Sequence, residues 1–161
     1  MVIEIFLNLL YNKYKQKIQE VILMINILIG PKGTGKTKVF INGVNEALKT
    51  EKGNVVCVTK DGRHTFDISS EVRMVTTEDF GIKTVEEFYG FICGMISQNF
   101  DITHIFIDSI TKIADISVAQ FDAIIPKIED LAKKYSVKFT VAISAPKEEA
   151  GANITKYMVN I

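Results

Sequence analysis

The run Ile25-Asn26-Ile27-Leu28-Ile29-Gly30-Pro31-Lys32-Gly33-Thr34-Gly35-Lys36-Thr37 joins a short aliphatic segment directly to a glycine-rich turn. Residues 30–37 satisfy every fixed position of the pattern G-x-x-x-x-G-K-[ST], and apolar residues at helical spacing follow in Val39, Phe40, Val44, Ala47 and Leu48. Strand, glycine turn and helix together form the context in which this pattern cradles phosphate. Gly30 and Gly35 admit backbone conformations closed to residues with a Cβ, so successive N–H groups can converge on phosphate oxygens. Lys36 supplies a mobile positive charge to the β- and γ-phosphates, and the Thr37 hydroxyl can ligate Mg²⁺. The helix starting near Lys36 adds its positive N-terminal end. Pro31, Lys32, Gly33, Thr34 and Lys38 complete the expected binding set. These residues imply a protein that binds a nucleoside di- or triphosphate with Mg²⁺. The alternative is a glycine turn without such a role, and the complete motif with both flanks weighs against it.

Composition is compatible with that reading and excludes others. A chain of 161 residues, 47% hydrophobic and 24% charged, is expected to fold as one α/β domain with a substantial core. Formal net charge is zero, so there is no strong signal for nucleic acid, although a balanced total can hide an asymmetric surface. Cys57 and Cys93 lie in apolar runs without metal-ligand spacing, as expected for small core residues of a reduced, cytoplasmic protein. No run approaches the ~18 apolar residues that mark a membrane span. Residues 3–20 carry Ile3, Phe6, Leu7, Leu10, Tyr14 and Ile18 at helical spacing, with Lys13, Lys15 and Lys17 beyond. They read as a membrane-surface or partner-binding helix, a helix packed on the domain, or a stretch upstream of a true start at Met24. The domain is accordingly bounded at 24–161, with 1–23 as a helical extension.

Along the chain, strand and helix signals alternate, which predicts a mostly parallel sheet of five to six strands covered by helices. Strands are expected over 25–29, 54–59, 72–76, 104–108 and 139–143. Helices are expected over 36–49, from the Thr84-Val85-Glu86-Glu87 capping box to about Asn99, and from Ser117 to Tyr135. Pro126 should kink or split the last of these. Residues 60–71 lack a helical pattern and read as a loop or short hairpin. The tail is ambiguous, with 156–161 as a candidate edge strand.

Thr103-His104-Ile105-Phe106-Ile107-Asp108 is the second motif, a hydrophobic strand that delivers a carboxylate to its end. Beside a phosphate loop, such an Asp serves the Mg²⁺ site. Extended to Ser109-Ile110-Thr111, the segment resembles the Asp-Ser-hydrophobic-Thr/Ser signature of RecA- and KaiC-type ATPases. The resemblance spans about residues 24–145: Val55-Val56-Cys57-Val58-Thr59 is similar to their second strand. Phe139-Thr140-Val141-Ala142-Ile143-Ser144 is similar to the strand they place beside the phosphate-loop strand. It implies a three-layer P-loop NTPase fold with a RecA-like core, ATP as ligand, and Ser144 near the γ-phosphate.

The departures bear on activity. Where KaiC-type proteins carry paired glutamates after the second strand, this chain has Lys60-Asp61. Asp61 is the candidate catalytic base beside Lys36 and Asp108, with a turn residue at Asp61-Gly62 as its alternative; Glu78-Asp79 is a second, more loop-like candidate. Hydrolysis is therefore expected to be slow or dependent on a partner or second copy that supplies an Arg or Lys in trans. A nucleotide-gated binding module is the next reading. A nucleoside or nucleotide kinase ranks last, because Arg63 and Arg73 are the two arginines available for a lid. His64 is expected as an exposed loop residue, with nucleotide contact as the alternative, and His104 as a satisfied polar group at a strand edge. Ser144 could equally bond to backbone.

Overall fold

Apolar side chains alternate along the strands of this protein, and the alternation sorts its core into two layers on opposite faces of one sheet. The structure, a computed structural model, describes residues 2–22 and 24–160. Five parallel strands, β1 (Ile25–Gly30), β2 (Asn54–Thr59), β3 (Arg73–Thr76), β4 (Ile102–Ile107) and β5 (Lys138–Ser144), stand in the order β1-β5-β4-β2-β3. On one face, Leu28, Val55, Cys57, Phe106 and Ala142 pack against Phe40, Val44 and Ala47 of helix α2 (Lys36–Thr50). The opposite set, including Ile27, Ile29, Val58, Ile105, Ile107, Phe139 and Val141, packs against three further helices. These are α3 (Val85–Gln98), α5 (Val118–Tyr135) and α6 (Ala152–Tyr157), with the single-turn α4 (Ile110–Ile113) ahead of α5. Helices thus cover both faces, and the expected parallel α/β architecture is present with five strands. Phe139–Ser144 lies directly beside β1, Ile29 opposite Ile143.

Both capping boxes form: Thr84 with Glu87 opens α3, and Ser117 with Gln120 opens α5. The expected break at Pro126 does not occur, since α5 runs unbroken through it. Proline deprives the carbonyl of Asp122, four residues back, of its N–H partner. Asn153 Nδ2 donates to that carbonyl at 3.1 Å instead. The Asp122 carboxylate in turn accepts from the Ile154 N–H at 2.8 Å, so it caps α6 from another helix. The tail is also corrected. Residues 152–157 form α6 and not a strand, and sheet contact is one bridge from Met158 to Ile27, with Val159 N–H donating to Ile27. Ile161, the end of the proposed edge strand, lies outside the described residues.

Helix α1 (Val2–Ile22) forms as the spacing implies, but Ile3, Phe6, Leu7, Leu10 and Tyr14 are exposed and do not pack as a stripe on the domain. Ile18 of that stripe has a side chain outside those described. Among the described residues no helix is long and apolar enough to cross a membrane.

Candidate functional site

All five strands point their carboxyl ends the same way, and the chemistry-bearing residues collect at that edge. β1 ends at Gly30, and the loop that follows starts α2 at Lys36. Gly33 (φ 90°) and Gly35 (φ 87°) take the left-handed conformation that glycine admits. Gly30 does not, and its requirement is space: a Cβ there would sit 2.9 Å from Thr34 Oγ1. Thr34 Oγ1 donates to Pro31 O at 2.9 Å, which closes the loop on itself. The Lys36 ammonium donates to Pro31 O at 2.6 Å and to Thr34 Oγ1 at 3.3 Å. Burial lowers the Lys36 pKa first, the charge of Lys112 lowers it further, and Asp108 acts in the opposite sense. Lys36 therefore sits between a second cation and a carboxylate.

Asp108 is the first residue beyond β4, and its N–H donates to Val58 O at 2.9 Å, extending the β2 ladder by one bond. That bond fixes the carboxylate at the sheet edge, where it is 8% exposed. Ser109 Oγ donates to Asp108 Oδ1 at 3.1 Å, from a residue held at φ 52°. Asp108 Oδ2 faces His64 Nε2 at 3.6 Å.

A cavity of about 850 Å³ unites these groups. Its wall includes Lys32, Gly33, Gly35, Lys36, Thr37, Lys38, Asp108 and Ser144 of the sequence-derived set. Gly30, Pro31 and Thr34 shape the loop behind it. Five lysine or arginine side chains line the cavity against two aspartates, so a neutral chain carries a locally basic site. Cys57 lies beneath it, its thiol pushed up to about 12 by burial and then by the Asp108 charge, so it is not a nucleophile.

Asp61 stands apart. Its carboxylate does not line the cavity and is gripped by Arg63, with Nε at 2.8 Å and 3.0 Å and Nη2 at 2.7 Å. Those hydrogen bonds hold its pKa at about 2. Glu78 and Asp79 fall in a 3₁₀ turn (Thr77–Phe80), exposed and also outside the cavity wall.

Three basic side chains of the cavity lie outside the expected binding set, one of them His64, for which nucleotide contact is the alternative reading. His64, expected to be exposed, has a side chain 19% exposed that faces Asp108. Arg63 and Lys112 line the same space. His64 sits at φ 65° within residues 60–71, a loop as expected, yet an anchored one. Asn45 of α2 clamps it by donating to Asp67 O and accepting from Ser69 N–H, both at 3.0 Å. Ile68 buries its side chain beneath.

His104 lies at the other end of β4, far from this chemistry in sequence register, and is only half satisfied. Nε2 meets Thr140 Oγ1 at 2.9 Å, whereas Nδ1 has no hydrogen-bond partner among the described residues and lies 3.5 Å from Glu51 Oε1.

Among the described residues no group of three or more His, Cys, Asp and Glu side chains is arranged to hold a metal ion. A Mg²⁺ shared with substrate phosphates needs fewer protein ligands, one or two oxygens completed by phosphate and water, and Thr37 with Asp108 are chemically suited to that set. Compared with known proteins, the chain matches no protein-family model and no curated protein.

Proposed function

We propose that this protein is an ATP-binding P-loop NTPase with a RecA-like core, acting as a slow or partner-stimulated Mg²⁺-dependent ATPase. The observation that carries the reading is the convergence of Lys36, Thr37 and Asp108, from two separated strands, on one basic cavity. In this reading the loop N–H groups and the α2 N-terminus bind the inner phosphates. Lys36 exchanges its bond to Pro31 O for phosphate oxygens, and Thr37 and Asp108 hold the metal and its waters. Bound Mg²⁺ would neutralise charge developing on the transferred phosphoryl group. Ser144, at the end of the strand between β1 and β4, stands where it can meet the outer phosphate.

The pairing of Asp61 with Arg63 outside the cavity wall supports slow turnover, and it is the observation that favours the second reading, a nucleotide-gated module with little hydrolysis. A positioned base contributes ~10²–10⁴-fold, so its absence would leave the rate far below the ~10 s⁻¹ of a median enzyme. Arg63 and Lys112 already stand at the cavity in cis, so a cation supplied in trans by a second copy or a partner would add to them. The test is calorimetric titration with ATP·Mg²⁺. Lys36→Ala should weaken binding by ~100-fold or more, since hydrogen bonds to charged groups contribute roughly 1.5–3 kcal/mol each. Unchanged affinity in a folded variant would refute the phosphate-loop assignment.

A further inference from the structure

The segment between β2 and β3 is built as an arm, and its two basic side chains reach the cavity that the phosphate loop forms from the other side. Three independent anchors hold it. Thr59 Oγ1 accepts from the Gly62 N–H at 3.1 Å, Asn45 clamps Asp67 and Ser69, and Ile68 is buried. His64 O accepts from the N–H groups of Asp67 and Ile68 at 2.9 and 3.0 Å, which locks the turn at its tip. Four non-glycine residues have positive φ among those described, and two of them, His64 and Ser109, face each other across Asp108. Left-handed backbone at a non-glycine residue costs free energy and persists where surrounding structure enforces it, commonly at functional sites.

The geometry assigns the order of groups along the cavity. Lys36 serves the β- and γ-phosphates in this type of loop, and Asp108 is the carboxylate that would hold a metal bound with them. A side chain that faces Asp108 from the opposite wall is therefore next to the outermost phosphate. His64 Nε2 occupies that place, on the Asp108 oxygen that Ser109 does not engage. Arg63 lines the same wall. Asp61 takes its Nε and one Nη2 N–H, which fixes the planar fork and leaves the remaining N–H donors for an anion.

We propose that the β2–β3 crossover is a terminal-phosphate recognition arm built in cis, in which Arg63 and His64 contact the outermost phosphate and make the site prefer nucleoside triphosphate over diphosphate. This inference rests on the phosphate-loop reading. Asp61 and Asn45 are its positioning residues, the first for the Arg63 fork and the second for the His64 turn. The expected Asp61 base is thereby given a different role, in that it aims a cation at the phosphate.

The experiment compares affinities for ATP·Mg²⁺, a non-hydrolysable ATP analogue and ADP·Mg²⁺ in the wild type, Arg63→Gln, His64→Gln and Asn45→Ala. Arg63→Gln and His64→Gln should each weaken both triphosphates by about tenfold or more, the loss of one charged hydrogen bond, while ADP stays within about twofold. Asn45→Ala should move triphosphate affinity in the same direction. Lys36→Ala should lose both nucleotides, which separates loop failure from arm failure. Equal losses for ATP and ADP in the arm variants, or no loss at all, would overturn the inference while leaving the phosphate-loop reading intact. A wild type that binds neither nucleotide would overturn both.

Discussion

Asp108 is held from two sides, by the Ser109 hydroxyl on one oxygen and by the proximity of His64 to the other. Its backbone is pinned by the bond to Val58, so the carboxylate has little freedom to relocate. Asp108→Asn keeps the size of the side chain and one acceptor oxygen, but it removes the charge and turns the other oxygen into a donor. It should weaken ATP·Mg²⁺ binding by ~10–100-fold, the range seen when a partner of a metal site is removed, while metal-free ADP binds nearly as before. Titration with and without Mg²⁺ checks this, and equal loss in both conditions would assign Asp108 a structural role. That Lys36, Thr37 and Asp108 share one cavity was legible in the sequence, because each is marked locally, by a complete motif and by a hydrophobic run ending in a carboxylate. Arg63 and Lys112 were not, and His64 was legible only as an alternative, because chain reversals bring them to the cavity. No local rule announces His64 at φ 65°, since even the non-glycine residues enriched in left-handed backbone adopt it uncommonly.

Helix α5 illustrates how one element can correct a defect in another. Pro126 should break it, and the break is averted by Asn153, a side chain that no periodicity connects to residue 122. The same junction explains why 152–157 is helical where a strand was expected: Asp122 caps its N-terminus, and Ile154 and Tyr157 are buried against the core. Asn153→Ala should leave the Asp122 carbonyl without a donor and destabilise the fold by about 1–3 kcal/mol. Gly151→Ala should act on the same joint, because a Cβ there would overlap the Asp122 carboxylate. Urea melts of both variants test this. An Asn153→Ala variant as stable as wild type, with the helix content unchanged, would show that α5 tolerates Pro126 without help. Helices α2 and α3 needed no such partner, which is why apolar spacing and a capping box sufficed to locate them.

At the scale of the whole molecule, His104 makes stability depend on pH. Burial in the first place drives its imidazole from the ordinary 6.5 down to about 4; the Glu51 carboxylate opposes the shift and the Lys138 ammonium adds to it. The groups around the ring are Glu51 at the end of α2, Lys138 and Thr140 on β5, and Phe106, stacked at 4.0 Å. Since the folded pKa lies below the unfolded one, the unfolded chain binds the extra proton between pH 6.5 and 4. Stability is therefore full above pH 6.5 and falls as pH drops through that window, by at most ~1.4 kcal/mol per unit for one proton. Unfolding free energies measured at pH 7.5, 6 and 5 should show this slope, and His104→Gln should flatten it. A slope retained in His104→Gln would transfer the effect to other groups, among them Glu51, whose own pKa is lowered. The sheet order carries a different consequence, for the way the chain comes off the ribosome. Among the described residues β1, which leads into the Gly30–Thr37 turn, has β5 as its one strand neighbour, and β5 is the last of the five strands in chain order. On its other side, among the described residues, it meets the Met158 bridge, which comes later still in the chain. A nascent chain that has exposed the whole Gly30–Thr37 turn therefore cannot seat its strand in the sheet until residues 138–144 have emerged. Pairing of such distant segments is the slow kind of closure, so the turn after β1 takes its place only once the other four strands have been made.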